Sequence, residues 1–268
     1  MASVVETPAP GQAAGAGRDA VVVRNVSKTF PGKTPVRALD AVSFAIREHA
    51  FVSIIGPSGC GKSTLLRIIG GLTGFEGEAV TVAGRPVAGP PPEIGIVFQT
   101  ANLLPWLTVE KNLRLAAEMR NVPAERITAQ VRGMVETLGL GGFEKHHPHQ
   151  LSGGMQQRVA LGQALVLGPQ ILLMDEPFGA LDALTRDRLN LELLRLWEAQ
   201  RQTVFLVTHS IAEAVFLSDR VLVMSPRPGR LIDDVAIDLP RPRNHKATRS
   251  LPAFTEYELR LGELMGVG

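Results

Sequence analysis

The chain has 268 residues, with 28 Lys and Arg against 26 Asp and Glu, a formal net charge of +2. So small a balance is not the electrostatic footprint of a general nucleic-acid binder, and no uninterrupted apolar run approaches the ~18 residues a spanning helix needs. The one cysteine, Cys60, excludes an internal disulfide framework and a paired-cysteine zinc site, and suits a reducing compartment.

In chain order, residues 1–19 are rich in Ala, Gly and Pro and lack the apolar core of a signal peptide, so they read as a disordered tail. From Ala20 the pattern changes. Val21 to Val23 and Phe51 to Ile55 read as strands, and Val80 to Val82 and Ile94 to Val97 add shorter pieces. Leu107 to His149 reads as helical, which places a helical subdomain at about 100–165, inserted into the sheet. Ile171 to Met174, Val204 to Val207 and Val221 to Met224 are again short continuous apolar runs, the mark of strands covered on both faces. Four prolines between Ser225 and Asn244 make that stretch loop and edge strand. The expected fold is α/β: a mainly parallel central sheet under helices, an antiparallel β piece, one large domain over 20–244, and a tail or helix over 245–268.

Gly56-Pro57-Ser58-Gly59-Cys60-Gly61-Lys62-Ser63-Thr64 fits GxxxxGK(S/T), follows a strand and opens a helix. Glycines let backbone N–H groups turn inward around phosphate oxygens, and the helix N-terminus adds its partial positive charge. Lys62 supplies a mobile cation for the β and γ phosphates, and Ser63 a hydroxyl for Mg²⁺. Asp175 and Glu176 close the Ile171 strand, at the edge where ligands gather in open parallel sheets. Asp175 is placed to hold Mg²⁺, and Glu176 to polarise the attacking water.

Ser152-Gly153-Gly154 is a second glycine loop at a helix start, with Ser152 as its N-cap. One nucleotide does not need two such cradles from one chain, so this one is expected to meet a nucleotide held by another copy. A purely structural capped helix is the alternative.

Leu151 to Arg158 (LSGGMQQR), preceding Ile171 to Pro177 (ILLMDEP) at this spacing, resembles the nucleotide-binding subunits of ABC ATPases, and the likeness runs from Val21 to about Asp238. That resemblance implies a P-loop fold and a head-to-tail dimer in which one chain's Lys62 loop holds ATP under the other's Ser152-Gly153-Gly154. By the same resemblance Gln99 joins the Mg²⁺ and water site to the helical subdomain, and Asp182 lies on a loop crossing to the partner subunit. It also makes His209 a contact of the γ-phosphate, and Phe30 the aromatic that stacks on adenine. A polar strand end for Gln99, a core aromatic for Phe30 and a structural His209 stay open at this level. His146, His147 and His149 lack a Cys or acid at ligand spacing beyond Glu144, so no metal site is expected there.

Gln99 to Val109 resembles the segment that importer ATPases offer to a permease, with Leu104, Trp106 and Leu107 as a helix-receiving groove. Packing of Trp106 within the subdomain is the alternative. Together with MDEPFGALDALTR and MSPRPGR, this segment resembles the nitrate, sulfonate and taurine importer branch. The implied partners are a second copy or a paralogous ATPase, an integral membrane permease and, indirectly, an extracytoplasmic solute-binding protein, with no nucleic acid. The implied place is the cytoplasmic face of the membrane. An exporter ATPase and a soluble ABC ATPase acting on nucleic acid or ribosomes are the alternatives. Arg241, Arg243, Lys246 and Arg249 read as a solvated basic tail, and Cys60, inside the phosphate loop, as a thiol whose modification MgATP should block.

Overall fold

Residues 18–266 are described by the structure, a computed structural model. The tail expected over 1–19 falls outside the described residues except for its last two, and Asp19 already opens a strand.

Two long antiparallel strands, β1 (Asp19–Phe30) and β2 (Val36–Arg47), begin the described chain, and β3 (Phe51–Ile55) leads through the glycine loop into α1 (Lys62–Ile69). β4 (Ala79–Val82) and the two-residue β5 (Arg85–Pro86) return to β1, giving an antiparallel sheet of order β2-β1-β4-β5. The reading above has no strand at 36–47. Its signal is alternation rather than a run: Val42, Phe44 and Ile46 are buried, whereas Ala41, Ser43 and Arg47 face outward.

β6 (Ile94–Val97) is followed by the helical insertion: α2 (Val109–Met119), α3 (Ala124–Thr137), a single 3-10 turn (Pro148–Gln150) and α4 (Gly153–Leu165). The chain then alternates through β7 (Ile171–Asp175), α5 (Ala183–Gln200), β8 (Thr203–Val207), α6 (Ile211–Leu217), β9 (Arg220–Met224) and β10 (Leu231–Ala236). These strands form a six-stranded sheet of order β10-β9-β3-β8-β7-β6, parallel throughout except for β10, which runs antiparallel at the edge. Every residue of β3, β7 and β8 is buried. Along β3, Phe51 and Ile55 enter the core shared with the helical insertion, while Val52 and Ile54 enter the one shared with α1 and the antiparallel sheet. A strand pressed from both sides gains from apolar residues at every position, hence the continuous runs.

The chain ends in α7 (His245–Arg249) and α8 (Pro252–Leu264), and here the expected solvated tail is overturned. Arg243 is 5% exposed, and its guanidinium donates to the carbonyls of Val215, Phe216 and Ser218 at 3.3, 3.0 and 2.9 Å, satisfying acceptors that the end of α6 leaves open. Burial lowers its pKa to about 10. Arg241 lies over the Trp197 ring and pairs with Asp219 at 2.8 Å, and Arg249 pairs with Asp187 at 2.8 Å. Lys246 alone of the four fits the expectation fully, exposed and without such a partner among the described residues.

Candidate functional site

The loop between β3 and α1 carries its glycines where the backbone demands them. Gly59 and Gly61 have φ of 74° and 108°, a region that L side chains rarely occupy. A Cβ on Gly61 would also fall 2.9 Å from the Ala38 carbonyl oxygen. Lys62 is 6% exposed, and its ammonium donates to the carbonyls of Gly56 and Pro57 at 2.7 and 3.1 Å, so the loop is folded round this cation. Pro57 and Thr64 are half-buried, and Ser58 is exposed. Cys60, 1% exposed, lies beneath the loop with its sulfur 3.8 Å from the Lys62 ammonium. The thiol expected to be reagent-accessible is therefore shielded by the loop itself, a correction to the reading above.

β7 delivers the carboxylates. Asp175, the last residue of that strand, accepts from the Ser63 hydroxyl at 2.7 Å, which ties the first turn of α1 to the strand edge. Burial pushes the Asp175 carboxyl above its usual range, against the Ser63 hydrogen bond and the nearby positive Arg67 and Lys62. Glu176 follows with φ of 46°, an unusual backbone for a residue with a side chain, and its N–H donates to Val207 O at 2.9 Å. Its carboxylate oxygen lies 3.4 Å from Gln99 Nε2 and 3.2 Å from His209 Nδ1. Three polar residues from the ends of β6, β7 and β8 thus converge at one edge of the sheet. The arrangement can hold a phosphate chain on the loop and present a carboxylate, a histidine and an amide to a water beside it.

The second loop is built differently. Ser152 caps α4, accepting from Met155 N–H at 3.4 Å, and with Gly153 it is exposed. Gly154 lies against α5, where a Cβ would come within 2.9 Å of Thr185 Cγ2, and a Cβ on Gly153 would lie 3.6 Å from Leu181. Asp182 caps α5, accepting from Thr185 N–H at 3.0 Å, and hydrogen bonding by Thr185, its hydroxyl first and its N–H second, holds the Asp182 carboxyl below the usual range. The Ser152 and Asp182 loops are therefore neighbours, and Leu184 beside them is 83% exposed. Among the described residues no hydrogen bond joins Ser152, Gly153 or Gly154 to the phosphate loop.

Phe30 ends β1, is 40% exposed and has the Lys28 ammonium 5.3 Å from its ring centroid, so it is not a core aromatic. Trp106 is 69% exposed, against the alternative of packing within the subdomain. Its loop is pinned from below by buried Asn112, which accepts from Leu104 N–H at 2.9 Å and donates to the Leu107 and Thr108 carbonyls, both at 3.1 Å. Leu104 and Leu107 are half-buried. The His147 and His149 rings stack at 5.8 Å, and His146 packs on Phe143. Among the described residues no group of three His, Cys, Asp or Glu is placed to hold a metal.

Sequence reasoning passes over Glu213. Its carboxyl is buried, with Oε1 left without a hydrogen-bond partner among the described residues, and that burial pushes its pKa up. Its signal was the helix start Ser210-x-x-Glu213, in which Ser210 accepts from Glu213 N–H at 3.3 Å.

A family model described as ABC transporter matches residues 39–179. An aliphatic sulfonates import ATP-binding protein of Bacillus cereus is 45% identical over 226 residues, 84% of this chain and 88% of that protein. A taurine import ATP-binding protein of Burkholderia pseudomallei is 44% identical over 230 residues, with the same shares of 84% and 88%. Among solved structures, a dimeric ATP-binding cassette in a post-hydrolysis state bound to ADP and Pi aligns with a TM-score of 0.71 and 34% identity, over 81% of this chain and 98% of that one. The matched span includes both glycine loops and the Asp175-Glu176 pair, and the likeness of sequence and of fold agree. The chain belongs to the ABC transporter family, with the fold of its ATP-binding cassettes.

Proposed function

We propose that the chain is the ATP-hydrolysing subunit of an importer for a small anion such as a sulfonate, taurine or nitrate. It works as a head-to-tail pair on the cytoplasmic face of a membrane permease. The observation that carries the catalytic part is the convergence of Gln99 and His209 on the Glu176 carboxylate, beside a phosphate loop tied to Asp175 through Ser63.

In this reading Phe30 stacks on the adenine, and the backbone of Gly56, Pro57, Ser58, Gly59, Cys60 and Gly61 with the start of α1 receives the phosphates. Lys62 exchanges its bonds to Gly56 and Pro57 for phosphate oxygens, which costs little because one set of acceptors replaces another. Glu176 accepts the proton of the attacking water, held in place by its fixed backbone and by His209 and Gln99. Asp175, Ser63 and Gln99 offer a carboxylate, a hydroxyl and an amide oxygen, all hard donors, and the buried Asp175 carboxylate gains from a cation close by, so the set fits Mg²⁺. That ion, when bound, neutralises phosphate charge. Ser152, Gly153 and Gly154 of a second copy close over the nucleotide, and Asp182 reaches toward that copy's site.

Import is supported by the sulfonate and taurine relatives and by the exposed Trp106 between Leu104 and Leu107, an apolar platform for a permease helix. No helix among the described residues is long and apolar enough to cross a membrane; in this reading the permease is a separate protein, fed by a solute-binding protein. Purification from membranes tests the reading: recovery with a multi-span permease, and ATPase activity that depends on a solute-binding protein, are expected. Nuclease-sensitive retention on ribosomes or DNA would overturn import.

A further inference from the structure

The segment Ser225 to Arg230 follows β9 and has no role in the site described so far, yet it is pressed onto the phosphate loop. Gly229 makes the approach possible: a Cβ there would lie 2.0 Å from the Cys60 carbonyl oxygen and 2.4 Å from Met224 Cε. The same glycine bonds to β2, donating to Ala38 O at 2.9 Å and accepting from Asp40 N–H at 3.0 Å. Ser225 closes the turn, donating its N–H to Arg230 O at 2.9 Å and accepting from Arg230 N–H on its hydroxyl at 3.0 Å. The turn is thus fixed at both ends before any ligand arrives.

Three arginines lie around it, and they differ in how their charge is met. Arg37 and Arg230 both pair with Asp40. Arg227 pairs with no carboxylate among the described residues. Exposed to solvent, it donates from Nε to the Gly59 carbonyl at 3.0 Å, and a Cβ on Gly59 would lie 3.0 Å from its guanidinium. The peptide between Gly59 and Cys60 is then held from both sides, because its N–H donates to Pro57 O at 3.3 Å.

We propose that Arg227 is a nucleotide-positioning residue, which braces the phosphate loop through Gly59 and adds an uncompensated positive charge beside a site for a nucleoside triphosphate. The inference rests on the reading that residues 56–64 hold the phosphates. Without Arg227, Gly59 regains freedom that binding must remove, and the anion loses a fixed cation. Affinity should fall while the chemical step, built from Glu176, His209 and Gln99, keeps its groups.

The test is MgATP titration of ATPase activity and of binding on the full chain, for Arg227→Ala, Arg227→Lys and Lys62→Ala, with melting temperatures alongside. Arg227→Ala should raise KM and Kd for MgATP by about five- to tenfold, with kcat within about twofold and Tm unchanged, because one charge-assisted bond is lost at an exposed position. Arg227→Lys, which keeps a charge and a donor, should recover to within about twofold of the parent. An unchanged KM in Arg227→Ala, or a KM rise that comes only with a lower Tm, overturns the proposal. Normal MgATP binding by Lys62→Ala would overturn the phosphate-loop reading itself, and this inference with it.

Discussion

The two glycine loops of this chain both open helices, yet one is locked into its surroundings and the other is left open. Around the phosphate loop, Lys62 is buried among loop carbonyls, Ser63 is tied to Asp175, and Glu176 is met by Gln99 and His209. At the other loop, among the described residues, Ser152 bonds only within its own helix start, and Ser152 and Gly153 face solvent beside the exposed Asp182 and Leu184. Preorganised groups suit chemistry, because nothing has to be arranged at the moment of reaction. Exposed, capped loops suit a surface that meets something else. In the proposed reading one chain carries a nearly complete reaction site and a separate cover for a second copy's nucleotide, as half of a head-to-tail pair would.

The largest effect that could break this contrast is on the locked side. Glu176→Gln keeps shape but not basicity, so steady-state turnover should fall by about 10²–10⁴ while MgATP still binds. Near-normal turnover would remove Glu176 from the role of base. On the open side, Ser152→Ala removes a capping oxygen and, in the proposed pair, a group that meets the second copy's nucleotide, so turnover should fall by about ten- to a hundredfold. If the loop is a cover, nucleotide binding by isolated chains stays as in the parent. Loss of that binding would make the loop part of its own chain's site.

Cys60 sharpens the picture of the locked loop. With its thiol beneath the backbone, alkylation under native conditions should run at least about tenfold slower than in denaturant, since it needs a local opening. Equal rates would show that the loop does not hold its closed form.

The smallest effect is on stability. Burial raises the Glu213 pKa, so the folded chain holds that proton more firmly than the unfolded one. The resulting stabilisation is full below the ordinary glutamate range and is lost as pH rises through the raised folded value. Glu213→Gln, fixed in the neutral form, should therefore melt about 2–4 °C above the parent at pH 8 and close to it at pH 4. A destabilisation that grows from pH 4 to pH 8, followed by calorimetry, would show that the ionised carboxylate is the stabilising form.

How far these features can be read from the chain depends on whether the signal is local. β3, β7 and β8 stand out because a strand covered on both faces is apolar at every step, and the phosphate loop because its glycines, lysine and hydroxyl are contiguous. β2 escaped because one of its faces is polar and its alternation is broken at Leu39 and Asp40, both buried. The arginines at 241, 243 and 249 were misread for a different reason. Their partners, Asp219, the α6 carbonyls and Asp187, lie 22 or more residues earlier, and a basic cluster looks solvated until the fold supplies its acceptors. Cys60 was placed in the loop, but its burial beneath the backbone was not legible, because a motif does not say which side chain turns under. Glu213 was hidden in a helix start, where an acid usually means only a cap.

The head-to-tail pairing is tested most directly by the mass of Glu176→Gln in solution at micromolar concentration, measured by sedimentation with and without MgATP. The account predicts a monomer without nucleotide and a dimer with it, one nucleotide retained per chain, and no dimer when Ser152→Ala is added. A chain that binds MgATP stoichiometrically and stays a monomer would contradict it.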